Sequence, residues 1–120
     1  MDTTVIINEL ANTVHKANEK WWQDPKTKEP LKRNIGEMLA LIHSEISEAL
    51  EGHRRNLQDD HLPNRKMFEV ELADAMIRIL DLGAGLNLDL GGAFTDKMQY
   101  NKERADHKHE NRIKESGKKF

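Results

Sequence analysis

The amino-acid sequence predicts an all-α protein, and three observations support that fold class. Charged residues make up 33% of the 120 residues and aromatic residues only 5%, a mixture that favours helix over strand. Apolar residues recur at helical spacing in four separate segments. Loops containing proline or glycine separate these segments. We therefore expect an antiparallel, four-helix bundle-like domain over residues 1–112, with a polar, frayed tail at residues 113–120.

The first two helices are predicted from apolar periodicity and from the residues that flank it. The first covers residues 4–21, after which Pro25 and Pro30 bracket a charged loop. The second covers residues 34–56. It begins at Asn34, which is followed three positions later by a glutamate, as in a capping box.

The third helix, over residues 65–82, is apolar on nearly every side in its later part, which is typical of a central helix. Gly83 and Gly85 are suitable stop signals. The fourth helix is predicted to begin at Asp89, a candidate N-cap, and to continue beyond residue 104.

Charge and composition exclude several classes of protein. The net charge of −2 argues against a polycation that forms a stable complex with nucleic acid. The absence of cysteine excludes disulfides, zinc–thiolate sites and a thiol nucleophile. We see neither a signal-peptide pattern nor an uncharged apolar run of about 20 residues, the length that spans a membrane. We therefore expect a cytoplasmic protein without a membrane partner.

Two pairs of carboxylates stand out on the second and third helices. Glu45 and Glu48 are three residues apart, as are Glu71 and Asp74, so each pair shares one helix face. Both pairs adjoin apolar stripes, where uncompensated carboxylates are costly. A divalent cation such as Mg²⁺ or Mn²⁺ would compensate them. The alternative is that all four are ordinary solvated acids on helix surfaces.

The sequence resembles the MazG-like family of all-α nucleoside triphosphate pyrophosphohydrolases. The resemblance covers about residues 5–105 and rests on three motifs: Glu45-Ile-Ser-Glu48 with Glu71-Leu-Ala-Asp74, the segment Lys97-Met98-Gln99-Tyr100-Asn101-Lys102-Glu103-Arg104, and the aromatic pair Trp21-Trp22, which looks like the small phage and bacterial members. The family pattern commonly opens with a pair of glutamates. Ser44 occupies the first position of that pair here, so any role of that glutamate as a base has no counterpart.

The resemblance implies an enzyme of nucleotide-pool control. It would hydrolyse a ribo- or deoxyribonucleoside triphosphate between the α- and β-phosphates to a monophosphate and pyrophosphate. Glu45, Glu48, Glu71 and Asp74 would bind Mg²⁺ or Mn²⁺, and Glu45 or Glu48 would accept the proton of the attacking water. The resemblance also implies a homodimer or a tetramer made of two dimers. A chain of this size gains core by assembling in that way.

Residues at helical spacing on the fourth helix are candidates for binding the β- and γ-phosphates. Lys97, Asn101 and Arg104 are spaced i, i+4, i+7 and therefore form one stripe. An arginine at the end of the stripe can bond two phosphate oxygens at once. The alternative is a solvated, charged helix face.

Residues at the end of the first helix are candidates for binding the base. Trp22 follows Asn18 by one helical turn, and Trp21 is its neighbour. A tryptophan can stack on a base while an asparagine bonds its polar edge. This arrangement favours a purine such as guanine. In the alternative interpretation, Trp21 packs in the core and Trp22 only covers the helix end.

Two other functions compete with hydrolysis. A carboxylate-bridged di-iron bundle requires Glu-x-x-His pairs, and this sequence contains none. A non-enzymatic interaction module would use the basic last helix, from Lys97 onward, to contact nucleic acid or a protein. The net negative charge and the acids interleaved in that segment argue against this module.

Overall fold

The computed structural model describes residues 2–104 and confirms the all-α prediction. Its four α-helices are α1 (Thr3–Ala17), α2 (Ile35–Arg55), α3 (Met67–Gly85) and α4 (Leu90–Glu103), with a short 3₁₀ helix at Glu19–Trp22. No strand forms within residues 2–104, where two isolated bridges tie loops together. The predicted tail at residues 113–120 lies outside the described residues.

Side chains cap the helices where the sequence predicted it. Asn34 Oδ1 accepts a hydrogen bond from the backbone N–H of Glu37 at 3.0 Å, and α2 begins there. Asp89 Oδ1 accepts from the N–H of Gly92 at 2.9 Å at the start of α4. Each bond satisfies a backbone donor that has no partner within its own helix.

The helix ends differ by a few residues from the predicted bounds. α1 ends at Ala17 rather than at residue 21, and the chain tightens into the 3₁₀ helix. α3 continues through Gly83, which lies buried against Leu90, and ends at Gly85, the second of the predicted stop signals. α4 ends at Glu103 instead of continuing beyond residue 104.

α3 is the central helix, as its apolar sequence predicted. It packs along α2 and also contacts α1 and α4, while α1 packs on α4. The close approach of α2 to α3 depends on Gly52, where a Cβ would lie 2.9 Å from Met67 Cβ. This approach brings the two acidic pairs of the sequence face to face.

The core of the described chain is small. Its buried apolar residues are Ala11, Met38, Ala49, Ala75, Leu80 and Leu82. No large side chain among residues 2–104 is fully buried. Apolar side chains on the outer faces of α2 and α3 remain exposed, namely Leu39, Ile46, Leu50, Leu72, Met76 and Ile79. Every helix described is too short or too polar to cross a membrane.

Candidate metal centre and adjoining cavity

Three of the four predicted metal ligands converge where α2 packs against α3. One carboxylate oxygen from each of Glu45, Glu71 and Asp74 lies within 4.8 Å of the others. Glu48, one turn along α2 from Glu45, remains exposed to solvent but is close enough to hydrogen-bond with Glu71. The packing of two helices thus converts two local acidic pairs into one cluster.

Glu71 is the most perturbed acid of the cluster. Hydrogen bonding with Glu45, burial, and the neighbouring charges of Glu45 and Glu48 raise its pKa to about 8 from the usual 4.5. Glu71 is buried, with 8% of its surface exposed to solvent. Its Oε2 has no hydrogen-bond partner among the described residues. Without a cation, the Glu71 carboxyl group therefore stays protonated at neutral pH, and its O–H can donate a hydrogen bond to Glu45.

The pKa of Asp74 is raised as well. Burial raises its pKa, and the charge of Glu45 adds to that effect, while the nearby Arg78 guanidinium opposes it. Arg78 Nε also donates to Glu45 Oε1 at 3.1 Å. The arginine thus compensates part of the negative charge from the rim of the cluster.

The donor set fits a hard divalent cation. All available ligand atoms are carboxylate oxygens, which Mg²⁺ and Mn²⁺ prefer, whereas softer metals select nitrogen and sulfur ligands. The unpartnered Oε2 of Glu71 is an acceptor that a cation would satisfy. The residues present therefore fit the cation that the sequence predicted.

A cavity of about 490 Å³ opens beside the carboxylates. Its volume falls within the range of small-molecule sites. Its walls combine acids of the cluster, two arginines and an apolar surface: Asn18, Trp21, Arg33, Met38, Leu41, Glu45, Asp74, Ile77, Arg78 and Asp81. The cavity thus joins a cluster of negative charge, two cations and a surface on which a flat ring can lie.

A buried hydrogen-bonded group forms part of the wall at Asp81. His15 Nδ1 lies 2.8 Å from Asp81 Oδ1. Trp22 Nε1 donates to both carboxylate oxygens, at 3.0 Å to Oδ1 and 3.1 Å to Oδ2. The His15 and Trp22 rings meet edge to face, with centroids 5.0 Å apart. These two aromatic donors hold the Asp81 carboxylate in one orientation.

The structure places the predicted base-binding residues in different roles. Asn18 and Trp21 line the cavity, and the Trp21 residue is 59% exposed. Trp22 is not among the lining residues: it lies against Gly85 of α3 and bonds Asp81. Trp22 therefore holds Asp81 in place from behind and does not itself face the cavity.

The three predicted phosphate-binding residues, of which Lys97 and Asn101 lie on α4 and Arg104 directly follows it, are not among those that line the cavity. The Lys97 ammonium lies 4.7 Å from the ring centroid of Tyr100, and the Arg104 guanidinium 5.7 Å from it. Asn101 Oδ1 is buried without a hydrogen-bond partner among the described residues. Among residues 2–104 of a single chain, Arg33 and Arg78 are the cations that line the cavity.

Four residues at the site were not predicted from the sequence to belong to it: Arg33, Arg78, Asp81 and His15. A signal for Asp81 was present, since it lies seven residues after Asp74, two turns along the same helix face, in an apolar segment. Arg33 and His15 carry no comparable local signal. They reach the site only through the packing of α1 and the following loop.

Comparison with protein-family models, curated protein sequences and solved structures finds no match to this chain. The chemistry of the site is therefore the guide to the function of this protein.

Proposed function

We propose that the protein is a Mg²⁺- or Mn²⁺-dependent nucleoside triphosphate pyrophosphohydrolase, which converts a (deoxy)nucleoside triphosphate and water into the monophosphate and pyrophosphate. One observation carries the proposal: the convergence of Glu45, Glu71 and Asp74 beside a cavity that also contains two arginines. A triphosphate needs compensation of its charge and in-line positioning more than it needs covalent catalysis.

The carboxylates and the arginines of the site have different roles in this proposal. Glu45, Glu71 and Asp74, with Glu48 beside them, would hold the cation, and Arg78 would bind phosphate oxygens. Arg33 lines the same cavity but donates to the Trp21 carbonyl, beside the proposed base. A bound Mg²⁺ supplies compensation of the phosphate charge and lowers the pKa of water.

The proton of the attacking water goes to a carboxylate, either Glu45 or Glu48. Glu45 already accepts a hydrogen bond from Arg78, whereas Glu48 is exposed to solvent. This difference favours Glu48 as the base and Glu45 as a ligand with a fixed orientation.

The cavity also offers a place for the base of the nucleotide. Trp21 provides an aromatic face, and Met38, Leu41 and Ile77 add apolar surface. Stacking on aromatic side chains is the usual way in which proteins hold an unpaired base. Asn18 adds an amide that can bond a polar edge.

Assembly into a homodimer, or into a dimer of dimers, belongs to the same proposal. The exposed apolar side chains on α2 and α3 recur at helical spacing and adjoin each other, because these two helices pack together. A second copy with the same face would bury them, as the two-fold symmetry of homodimers allows. Lys97, Asn101 and Arg104 remain candidates for phosphate binding in such an assembly.

The direct test is a screen of ribo- and deoxyribonucleoside triphosphates with Mg²⁺ or Mn²⁺, in which monophosphate and pyrophosphate are measured separately. Asp74→Asn and Glu48→Gln should lower turnover by more than about 100-fold, because even outer-shell partners of a metal contribute 10- to 100-fold. Glu69→Gln is the matched control, since Glu69 is an exposed glutamate on α3 that pairs with Arg65.

The products distinguish the proposal from its competitors. Release of inorganic phosphate and a diphosphate would indicate a different hydrolase. Absence of turnover with every triphosphate, together with salt-sensitive binding to nucleic acid, would instead support the interaction module. Circular dichroism of each variant should show the helical content of the wild type.

A further inference from the structure

The Asp81 carboxylate retains one unused acceptor position at the cavity. A carboxylate has about four lone-pair positions. The Trp22 N–H, shared between the two oxygens, occupies the inner position of each, and His15 takes the second position of Oδ1. No other residue among 2–104 donates a hydrogen bond to Asp81, and Asp81 lines the cavity. The outer lone pair of Oδ2 is therefore available to a ligand.

The position of Asp81 suits contact with the base of a nucleotide. It lies on α3 seven residues from Asp74, or about 10 Å along the helix axis. That length is comparable to a nucleoside extended from its α-phosphate to the far edge of its base. A triphosphate on the carboxylate cluster would therefore direct its base toward Asp81, past Trp21 and Ile77.

We propose that Asp81 determines base specificity, because its Oδ2 accepts an N–H from an exocyclic amino group of the base. This inference rests on the proposed nucleotide site and deepens it. Adenine, cytosine and guanine carry such an amino group, whereas uracil and hypoxanthine do not. A carbonyl oxygen in the same place would face a carboxylate oxygen, and the two acceptors would repel each other.

Trp22 and His15 are positioning residues in this scheme. They prevent the carboxylate from turning, so that its open lone pair stays directed at the ligand. A substitution of Asp81 by asparagine would keep the shape of the side chain. The oxygen of the new amide would accept from His15 and Trp22, and a small rotation would move the NH₂ away from the Trp22 N–H, toward the cavity, as a donor. Such a side chain should select a carbonyl group in place of an amino group.

The experiment compares bases that differ at one group, without requiring turnover. The probes are the α,β-methylene analogues of CTP, UTP, ATP and ITP, whose affinities for the protein are measured by titration calorimetry with Mg²⁺. We expect the wild type to prefer the amino member of the better-bound pair by roughly 10- to 100-fold, the range for a hydrogen bond to a charged group. Asp81→Asn should reverse that preference.

Asp89→Asn is the control, because Asp89 is a capping carboxylate at the start of α4 and is not among the residues lining the cavity. It should retain the preference of the wild type. The inference is overturned if the wild type binds both members of each pair equally, or if Asp81→Asn weakens all four analogues by the same factor. It is also overturned if no analogue binds.

Failure of hydrolysis is a separate outcome. A wild type that binds the amino-bearing analogues selectively but cleaves no triphosphate would overturn the proposed enzyme and leave the role of Asp81 intact. If Asp81→Asn does not fold, the comparison of the four analogues on the wild type still decides whether an amino group is preferred.

Discussion

Arg78 Nε lies 3.1 Å from Glu45 Oε1 and thereby links α3 to α2 at the edge of the carboxylate cluster. The side chain of Glu45 is only 12% exposed, so this contact is partly protected from solvent. The same arginine lines the cavity and opposes the rise in the pKa of Asp74. It therefore orients a candidate metal ligand and offers a positive charge to a phosphate.

Arg78→Gln should lower kcat/KM for the preferred triphosphate by about 10- to 100-fold, the range for residues that orient metal ligands. Arg78→Lys should recover only part of the loss, because lysine cannot reproduce the planar fork of arginine. Arg55→Gln is the control, since Arg55 forms an exposed pair with Glu51 on α2. Wild-type kcat/KM in Arg78→Gln would contradict the assigned role.

The raised pKa of Glu71 predicts how the stability of the metal-free protein depends on pH. The folded state raises the pKa of Glu71 to about 8, so the native protein holds a proton that the unfolded chain releases above its usual pKa of 4.5. Stability from this group is thus complete below about pH 4.5 and is lost as the pH rises toward 8. Asp74, whose pKa is also raised, acts in the same direction.

Urea unfolding in EDTA at pH 5, 6.5 and 8 measures this loss. Glu71→Gln should show a smaller decline in unfolding free energy than the wild type, because an amide keeps the shape and does not titrate. Addition of Mg²⁺ should raise the unfolding free energy of the wild type most strongly at pH 8. Parallel declines in the two proteins would show that Glu71 is not the titrating group.

Gly85 should not tolerate a side chain, although alanine is normally the better helix residue by about 1 kcal/mol. A Cβ at this position would run into the indole ring of Trp22. We expect Gly85→Ala to destabilise the protein by about 1–3 kcal/mol, as overpacking usually does. It should also displace Trp22 from Asp81, which tryptophan fluorescence would report.

Gly36→Ala provides the comparison for that substitution. The nearest atom to a Cβ there is Asn34 Oδ1 at 3.3 Å, the end of a side chain that can shift. We expect a stability within about 1 kcal/mol of the wild type. If both alanine variants unfold at the same urea concentration, the contact between Gly85 and Trp22 does not constrain the fold.

The exposed apolar faces predict the size of the protein in solution. Met76 on α3 and Leu50 on α2 are more than half exposed, at 58% and 56%. Met76→Lys or Leu50→Lys should convert a dimer or tetramer into a smaller species, because a charge in an apolar interface is costly. Light scattering coupled to chromatography measures the mass. A monomeric wild type would contradict the predicted assembly.

Features that depend on neighbouring residues were predictable from the sequence. The four helices, the capping residues Asn34 and Asp89, and the sharing of one face by each acidic pair all follow from periodicity and side-chain chemistry over a few residues. α3 ends at Gly85, one of the two predicted stop signals, whereas the continuation of α4 beyond residue 104 was predicted wrongly, since that helix ends at Glu103.

The tertiary structure alone decided which distant groups meet. Asp81 is 66 residues from His15 and 59 from Trp22, and no local pattern relates the three. They converge because α1 packs on α3 and the chain then tightens into a 3₁₀ helix. Local spacing determines the face of a helix on which a side chain lies, but only the packing of helices determines what that face contacts.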